Sequence, residues 1–409
     1  MIGHSSLTGM KLSTLDYIVS VMDCPPSQLD FTIILSFNHR LDIDALRRGA
    51  TSARNLFPTS GSRLKNNRWI HDSTHEGVLE FATRPDDVRT FVNRRIDLTE
   101  EPPICQLLAD HGRTLVTKFH HAAADGTSAS LWLNHQLAVA AGLDQAQTQR
   151  AHFSQLALKN SQTSVRRSQF AYQTASEQLW TLPVERSGIR DWQSVTFEAD
   201  GLRKKCREQR VFTYNDLLAT AALEVFSRWN REQSCQDTPR IGLWLPVNIR
   251  TRSNEGFGNG TSRIRIYASY PHTMSFIDKC REVRRQISWC INHGEWVVPD
   301  VNALTRIPRW MTGPVLRRHL TRASLDMATG VFSHVDGWNR RGELFNALTG
   351  VECVGLLHPF QALAINGVTH NGNTWLTFTY DAGLFETEHV ERIVEMYIEQ
   401  IEEAGQALR

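Results

Sequence analysis

The passage that most constrains this chain is the apolar run Leu115-Val116-Thr117-Lys118-Phe119 and the His120-His121-Ala122-Ala123-Ala124-Asp125-Gly126 that follows it. The run has the length and composition of a strand, and Asp125-Gly126 is turn chemistry. Residues from about Thr127 to Gly142 have helical spacing. A strand, a tight loop and a helix in that order predict an α/β fold with two histidines at the end of a sheet. An imidazole there titrates near neutral pH, so it can take a proton from a hydroxyl or amine and return it to a leaving thiolate. A single histidine beside a strand is ordinarily a packed or solvated residue. Four fixed positions in seven are another matter, expected by chance in fewer than about one chain per hundred.

Length and composition set the frame around that passage. With 409 residues, 41% hydrophobic and 22% charged, the chain can bury a large core and is expected to form two domains. Forty-five basic against 43 acidic residues leave a net charge of +2, no electrostatic footprint for nucleic acid. No apolar run reaches membrane-spanning length, and Met1 to Lys11 lacks the apolar centre of a signal peptide, so a cytoplasmic location is expected. The cysteines number seven, are scattered and never spaced as Cys-x-x-Cys, which predicts reduced thiols and no metal site.

Along the chain, Phe31 to Phe37 reads as a strand and Asp42 to Phe57 as a helix. Between Gln145 and Arg186 the sequence turns rich in Gln, Ser and Ala. A crossover is predicted there, with residues 1–150 as a first domain, 151–185 as the linker and 186–409 as a second domain. Thr213 is placed as the N-cap of a helix carrying Leu218, Ala221, Ala222, Val225 and Trp229, and Asp216 reads as helix-start chemistry. His370-Asn371-Gly372-Asn373 predicts a hairpin, and a final helix carries Val390, Ile393, Val394, Tyr397 and Ile401. A second constellation, Trp244-Leu-Pro-Val-Asn-Ile-Arg250 followed by Gly256-Phe-Gly-Asn-Gly260, combines a strand-end arginine with a glycine-rich turn.

The first motif resembles the signature of the His-His-x-x-x-Asp-Gly acyltransferase superfamily, and the second resembles a segment of two of its branches. The superfamily includes nonribosomal peptide condensation domains, BAHD acyltransferases, wax ester synthase/diacylglycerol acyltransferases and, more distantly, chloramphenicol acetyltransferase. Leu12-Ser-Thr-Leu-Asp16 and Leu41 to Arg48 resemble the opening of condensation and wax ester synthase chains, Thr213 to Ala219 is similar to the wax ester synthases, and the Asp-Phe-Gly-Trp-Gly of the BAHD enzymes is absent. The resemblance implies two chloramphenicol-acetyltransferase-like α/β sandwich domains in a V, with a channel running through to His121. It makes His121 the catalytic base with His120 beside it, and makes Asp125 a structural residue held by Arg250. Gly126 keeps the loop compact beside the donor's pantetheine arm. Asn248, standing two before Arg250, departs from the BAHD aspartate. Asn248, Asn259 and Ser333 are candidates for contacting substrate or the tetrahedral oxyanion.

That resemblance implies an acyltransferase with no bound cofactor and no metal. Its cosubstrate would be acyl-coenzyme A or an acyl carrier protein, and its acceptor a small alcohol, giving an ester. An amide-forming condensation enzyme with an amine acceptor and a catalytically silent docking module stay open. Two basic runs, Arg203-Lys204-Lys205 with Arg207 and Arg210, and Arg306, Arg309, Arg317, Arg318 and Arg322, would suit a phosphate, an acidic carrier or an anionic membrane surface. Such runs are more often solvated helix faces.

Overall fold

The computed structural model describes residues 9–23, 28–71, 79–84, 86–143, 177–234, 241–250, 256–268, 270, 273–294, 328–336, 343–358 and 361–408. In the first half, β1 (Met10–Lys11), α1 (Thr14–Met22), β2 (Asp30–Phe37) and α2 (Ile43–Leu56) precede β3 (Ser62–Lys65), β4 (Arg68–His71) and β5 (Leu79–Phe81). Then come α3 (Asp87–Asn93), β6 (Ile104–Ala109), β7 (Thr114–His120) and α4 (Gly126–Ala140). In the second half, β8 (Arg190–Glu198), α5 (Asp200–Gln209), α6 (Tyr214–Ser234), β9 (Gly242–Asn248), β10 (Thr261–Tyr267) and α7 (Phe276–Asn292) come first. They are followed by β11 (Gly330–Asp336), α8 (Glu343–Asn346), β12 (Leu348–Val354), β13 (Leu363–His370), β14 (Asn373–Asp381) and α9 (Thr387–Ala407).

Two mixed sheets carry the molecule. The first runs β12-β2-β7-β6-β5 and the second β10-β9-β11-β13-β14-β8, with a small β1-β4-β3 sheet at the side. Apolar residues of β2, β7, α2 and α4, among them Leu35, Leu46, Phe119 and Trp132, form a core on one face of the first sheet. Tyr17, Val92, Leu107 and Val116 form another on its opposite face. The second sheet packs α6, α7 and α9 on one face through Phe226, Trp229, Val283, Ile393 and Tyr397.

Local chemistry explains where several elements start. Ser13 caps α1 and forms a reciprocal box with Asp16. The side chain of Asp42 accepts from the amides of Asp44 and Ala45 at the start of α2. Thr213 Oγ1 accepts from the Asp216 amide at 3.2 Å while Asp216 accepts from the Thr213 amide at 2.7 Å, the structural role read for that pair. The hairpin at Asn371-Gly372 is present, with φ of 47° and 77° as a two-residue primed turn requires.

One strand departs from a simple division at residues 151–185. Leu348–Val354 lies in the last quarter of the sequence yet pairs antiparallel with β2, placing Val351 opposite Leu35 and Cys353 opposite Ile33. It completes the first sheet while resting on the second. Thr377 Oγ1 accepts from the Cys353 amide and Thr379 Oγ1 from the Gly355 amide, both at 2.9 Å. Its mixture of buried, half-buried and exposed side chains looks like that of any half-exposed strand, and nothing in its residues specifies the partner. The expected linker falls mostly outside the described residues. Its end is anchored, since Asn230 of α6 holds the Gln178 carbonyl and the Trp180 amide.

A second link joins the halves beneath the sheets. The Arg190 guanidinium on β8 reaches Asp30 Oδ1 and the Asp30 carbonyl on β2, each at 2.7 Å. Lys118 Nζ stands 3.6 Å from the other Asp30 oxygen, fully buried, and burial pushes this amine down to about 8. No described helix is long and apolar enough to cross a membrane. Arg207 and Arg210 lie exposed on or beside α5, Arg203 stands 3.6 Å from Asp200, and Lys205 Nζ donates to the Gly405 carbonyl. Arg306 to Arg322 lie outside the described residues.

Candidate active site

Strand β7 ends at His120, and the chain turns at once. The amides of Ala123 and Ala124 return to the His120 carbonyl, at 3.0 and 3.3 Å, before α4 begins at Gly126. Ala122, Ala123 and Ala124 are buried to 0%, 1% and 0% exposure, so none has room for a larger side chain. Gly126 is different. It is exposed and a Cβ there would meet nothing within 4 Å, so the open side of the loop lies at this residue.

The two histidines have separate surroundings. His120 is 1% exposed; its Nδ1 accepts from the Ala122 amide at 3.1 Å, which leaves the ring proton on Nε2, facing Asp23 Oδ2 at 3.2 Å. Burial works to raise the Asp23 carboxyl. The nearby His120 ring, the Leu29 amide and Arg95 outweigh it and hold the group below its ordinary range. His121 is half-buried, edge-on to Phe31 at 5.6 Å, with its amide bonded to the Leu29 carbonyl at 2.9 Å. Its Nδ1 is buried with no well-aligned partner among the described residues. Burial pushes the His121 imidazole below its ordinary value, and the Asp125 charge opposes that only in part.

Asp125 and Arg250 meet as a bidentate pair across the two halves, at 2.7 and 2.8 Å, with side chains 1% and 3% exposed. Asp125 also accepts from the amides of Ser128 and Gly260 and from Thr261 Oγ1. Burial alone would raise its carboxyl; the Arg250 charge and these donors hold it low. Arg250 spends its other N–H groups on the carbonyls of Gly256 and Gly258, on Ser128 Oγ and, at 3.4 Å, on Asn248 Oδ1. Gly260 lies so close that a Cβ would come within 2.7 Å of the arginine side chain. Gly260→Ala is therefore expected to dislodge a pinned guanidinium and cost about 1 to 3 kcal/mol, read as a lowered melting temperature. A melt like that of wild type would show that Arg250 is free to move.

Asn259, 3% exposed, donates from Nδ2 to the His121 carbonyl at 3.0 Å, so the glycine-rich turn of the second half grips the backbone of the histidine itself. Asn248 is exposed and accepts from the Arg250 amide at 3.0 Å. Ser333 sits half-buried on β11 opposite Asn366, and no hydrogen bond joins it to the motif among the described residues.

Ser128, Asp23 and His358 join the site from outside the positions singled out in the sequence, and Trp244 joins it from the head of the second constellation. Ser128, fully buried, donates to the Gly258 carbonyl at 2.7 Å and accepts from Arg250. Its signal was available, since Asp125-x-x-Ser128 is an N-cap pattern. Asp23 carries no local signal. Trp244 and His358 stack edge to face at 5.2 Å, and the Arg263 guanidinium lies 3.6 Å above the Trp244 ring. Burial first, and then Arg263, His121 and Arg186, push His358 down to about 3, so it is neutral at physiological pH. Burial pushes the Cys105, Cys280 and Cys353 thiols up to about 12 and Cys206 to about 11, which removes these four from consideration as nucleophiles.

The fold has counterparts among solved structures. The first condensation domain of the calcium-dependent antibiotic synthetase, solved with a substrate analogue, superposes with a TM-score of 0.68 at 13% identity, covering 97% of this chain and 96% of that one. The chain shares the two-lobed fold of these condensation-domain structures. The EpoB cyclization-docking bidomain from Sorangium cellulosum matches at TM-score 0.66 and 14% identity over 97% of this chain and 85% of that one. The epimerization domain from the third module of tyrocidine synthetase B matches at 0.63 and 14% over 98% of both. No protein-family model and no curated protein matches the sequence.

Proposed function

We propose that this condensation-domain fold is an acyltransferase that moves an acyl group from a thioester, on coenzyme A or a carrier protein, to a hydroxyl, with His121 as general base. The observation that carries the reading is the separation of roles between the two histidines. His120 is buried, its Nδ1 accepts from the Ala122 amide and its Nε2 stands 3.2 Å from Asp23 Oδ2, so it positions the loop. His121 is kept neutral by burial, beside the open Gly126 corner, and the second half fixes its backbone through Asn259. A neutral imidazole so held takes the acceptor's proton as its oxygen attacks the thioester carbonyl. The tetrahedral oxyanion is met by the N-terminal amides of α4 and by Ser333, and His121 then protonates the departing thiol. A channel past His121 would admit donor and acceptor from opposite sides.

An amide-forming reaction uses the same residues. It is favoured by neighbours that are parts of nonribosomal peptide synthetases, whereas another neighbour is the condensation domain of the Monacolin K polyketide synthase. A docking role is the remaining reading, and one neighbour, the X-domain from teicoplanin biosynthesis, is solved in a complex with OxyB. Intact-mass analysis of mixtures of acyl-coenzyme A or acyl-carrier protein with alcohols and amines separates the three. Ester products are expected; amides alone would move the assignment to condensation, and no product from any pair would sink acyl transfer.

The pH profile checks the base directly. Because burial lowers the His121 value, its neutral, active form persists below the ordinary 6.5, and the acid limb of kcat/KM is expected there. A limb at or above 6.5 would assign the proton to another group.

A further inference from the structure

Strand β10 turns Ile264 and Ile266 into the core of the second half, which places Thr261, Arg263 and Arg265 on the opposite face. Thr261 is the start of this row, and its hydroxyl touches Asp125 at 2.7 Å. Arg263 is the next residue on that face, about 7 Å along the strand. Its guanidinium stacks on Trp244 at 3.6 Å, and Trp244 is held on another side by the neutral His358. No carboxylate or carbonyl pairs with Arg263 among the described residues. Burial, and then the neighbouring Arg265, push its charge down to about 10. A half-buried cation without a counter-charge is costly to keep unless a ligand supplies one.

Stacking uses the flat face of a guanidinium and leaves its N–H edge free, the geometry that pairs with a planar two-oxygen anion. Resting on the acyl-transfer reading above, we propose that Arg263, stacked on Trp244 one strand repeat from Thr261, is the subsite for a carboxylate carried by one of the two substrates. The acyl chain could bear that carboxylate at its far end, or the acceptor could be a free hydroxy or amino acid. Both present the same chemistry to Arg263.

Two matched pairs of probes distinguish the sources: succinyl-coenzyme A against butyryl-coenzyme A as donors, and serine against serinamide as acceptors. A charge-assisted bidentate contact is worth roughly 10- to 100-fold, so the carboxylated member of one pair is expected to be preferred by that factor in kcat/KM. Arg263→Gln is expected to bring the ratio close to one, and Arg263→Lys to retain part of it. A wild-type enzyme that treats both pairs alike, or a preference that survives Arg263→Gln, overturns the assignment. Calorimetry with the same four compounds on the His121→Ala protein reads binding without turnover. Charge-dependent binding abolished by Arg263→Gln, in a wild type that transfers no acyl group, would uphold the carboxylate subsite and sink the acyl-transfer reading. Charge-blind binding overturns the subsite whatever the turnover.

Discussion

His121→Ala is expected to lower turnover by about 10² to 10⁴ while leaving the melting temperature close to that of wild type, the range for loss of a positioned general base. The two halves of this expectation come from different features of the ring. Its Nδ1 lacks a well-aligned hydrogen bond among the described residues, so removing the side chain strands no partner there. The backbone contacts of residue 121, to Leu29 and Asn259, survive the substitution. His120→Ala should behave in the opposite sense. It removes the ring beside Asp23, whose carboxylate keeps the Leu29 amide and Arg95, and strands the Ala122 amide, so it costs stability more than chemistry. Steady-state rates beside thermal melts of both variants check the pair. Full activity in His121→Ala, or equal loss of rate and stability in both, would remove the assignment of a base.

The motif end of this argument was legible in the sequence because it is local. A strand ending in His-His, three small residues and Asp-Gly fixes a turn and a helix start by steric and capping rules alone, and α4 begins one residue from the expected position. Arg250 was legible only through resemblance. The Asp125–Arg250 contact spans 125 positions, and nothing in the spacing of either segment measures that distance. Asp23, His358 and the β12 crossover were not legible at all, and Trp244 only as the first residue of the second constellation. Each acquires its role from a neighbour brought in by the fold. A buried aspartate at a helix end and a half-exposed strand look the same whichever sheet or histidine they meet. Arg263 shows the same limit: a strand arginine reads as a solvated charge until Trp244 is seen beneath it.

Removing Arg250 is expected to destabilise the protein by about 3 to 5 kcal/mol, and Asp125→Ala by a similar amount, because either change leaves the other charge buried without its partner. The burial is what decides the size: at 1% and 3% exposure the side chains cannot turn to water, so the loss is not the small one of a surface pair. The pair also closes the joint between the halves, since Gly260 and Thr261 of the second half bond the same carboxylate. Activity should therefore fall with stability in these variants, in contrast to His121→Ala. Replacing both residues together by apolar ones should recover part of the lost stability, as no lone charge then remains. The pH dependence has a definite sign. The folded Asp125 carboxyl lies below its ordinary value of 3.8, so its contribution is complete above that value and is lost as pH falls through the depressed one. Melts from neutral pH into acid should show the gap between wild type and Asp125→Ala shrinking in that window. An Arg250→Ala protein that melts like wild type at neutral pH would mean that Asp125 is satisfied by its Ser128, Gly260 and Thr261 donors alone, and that the joint is held instead by Arg190 on Asp30.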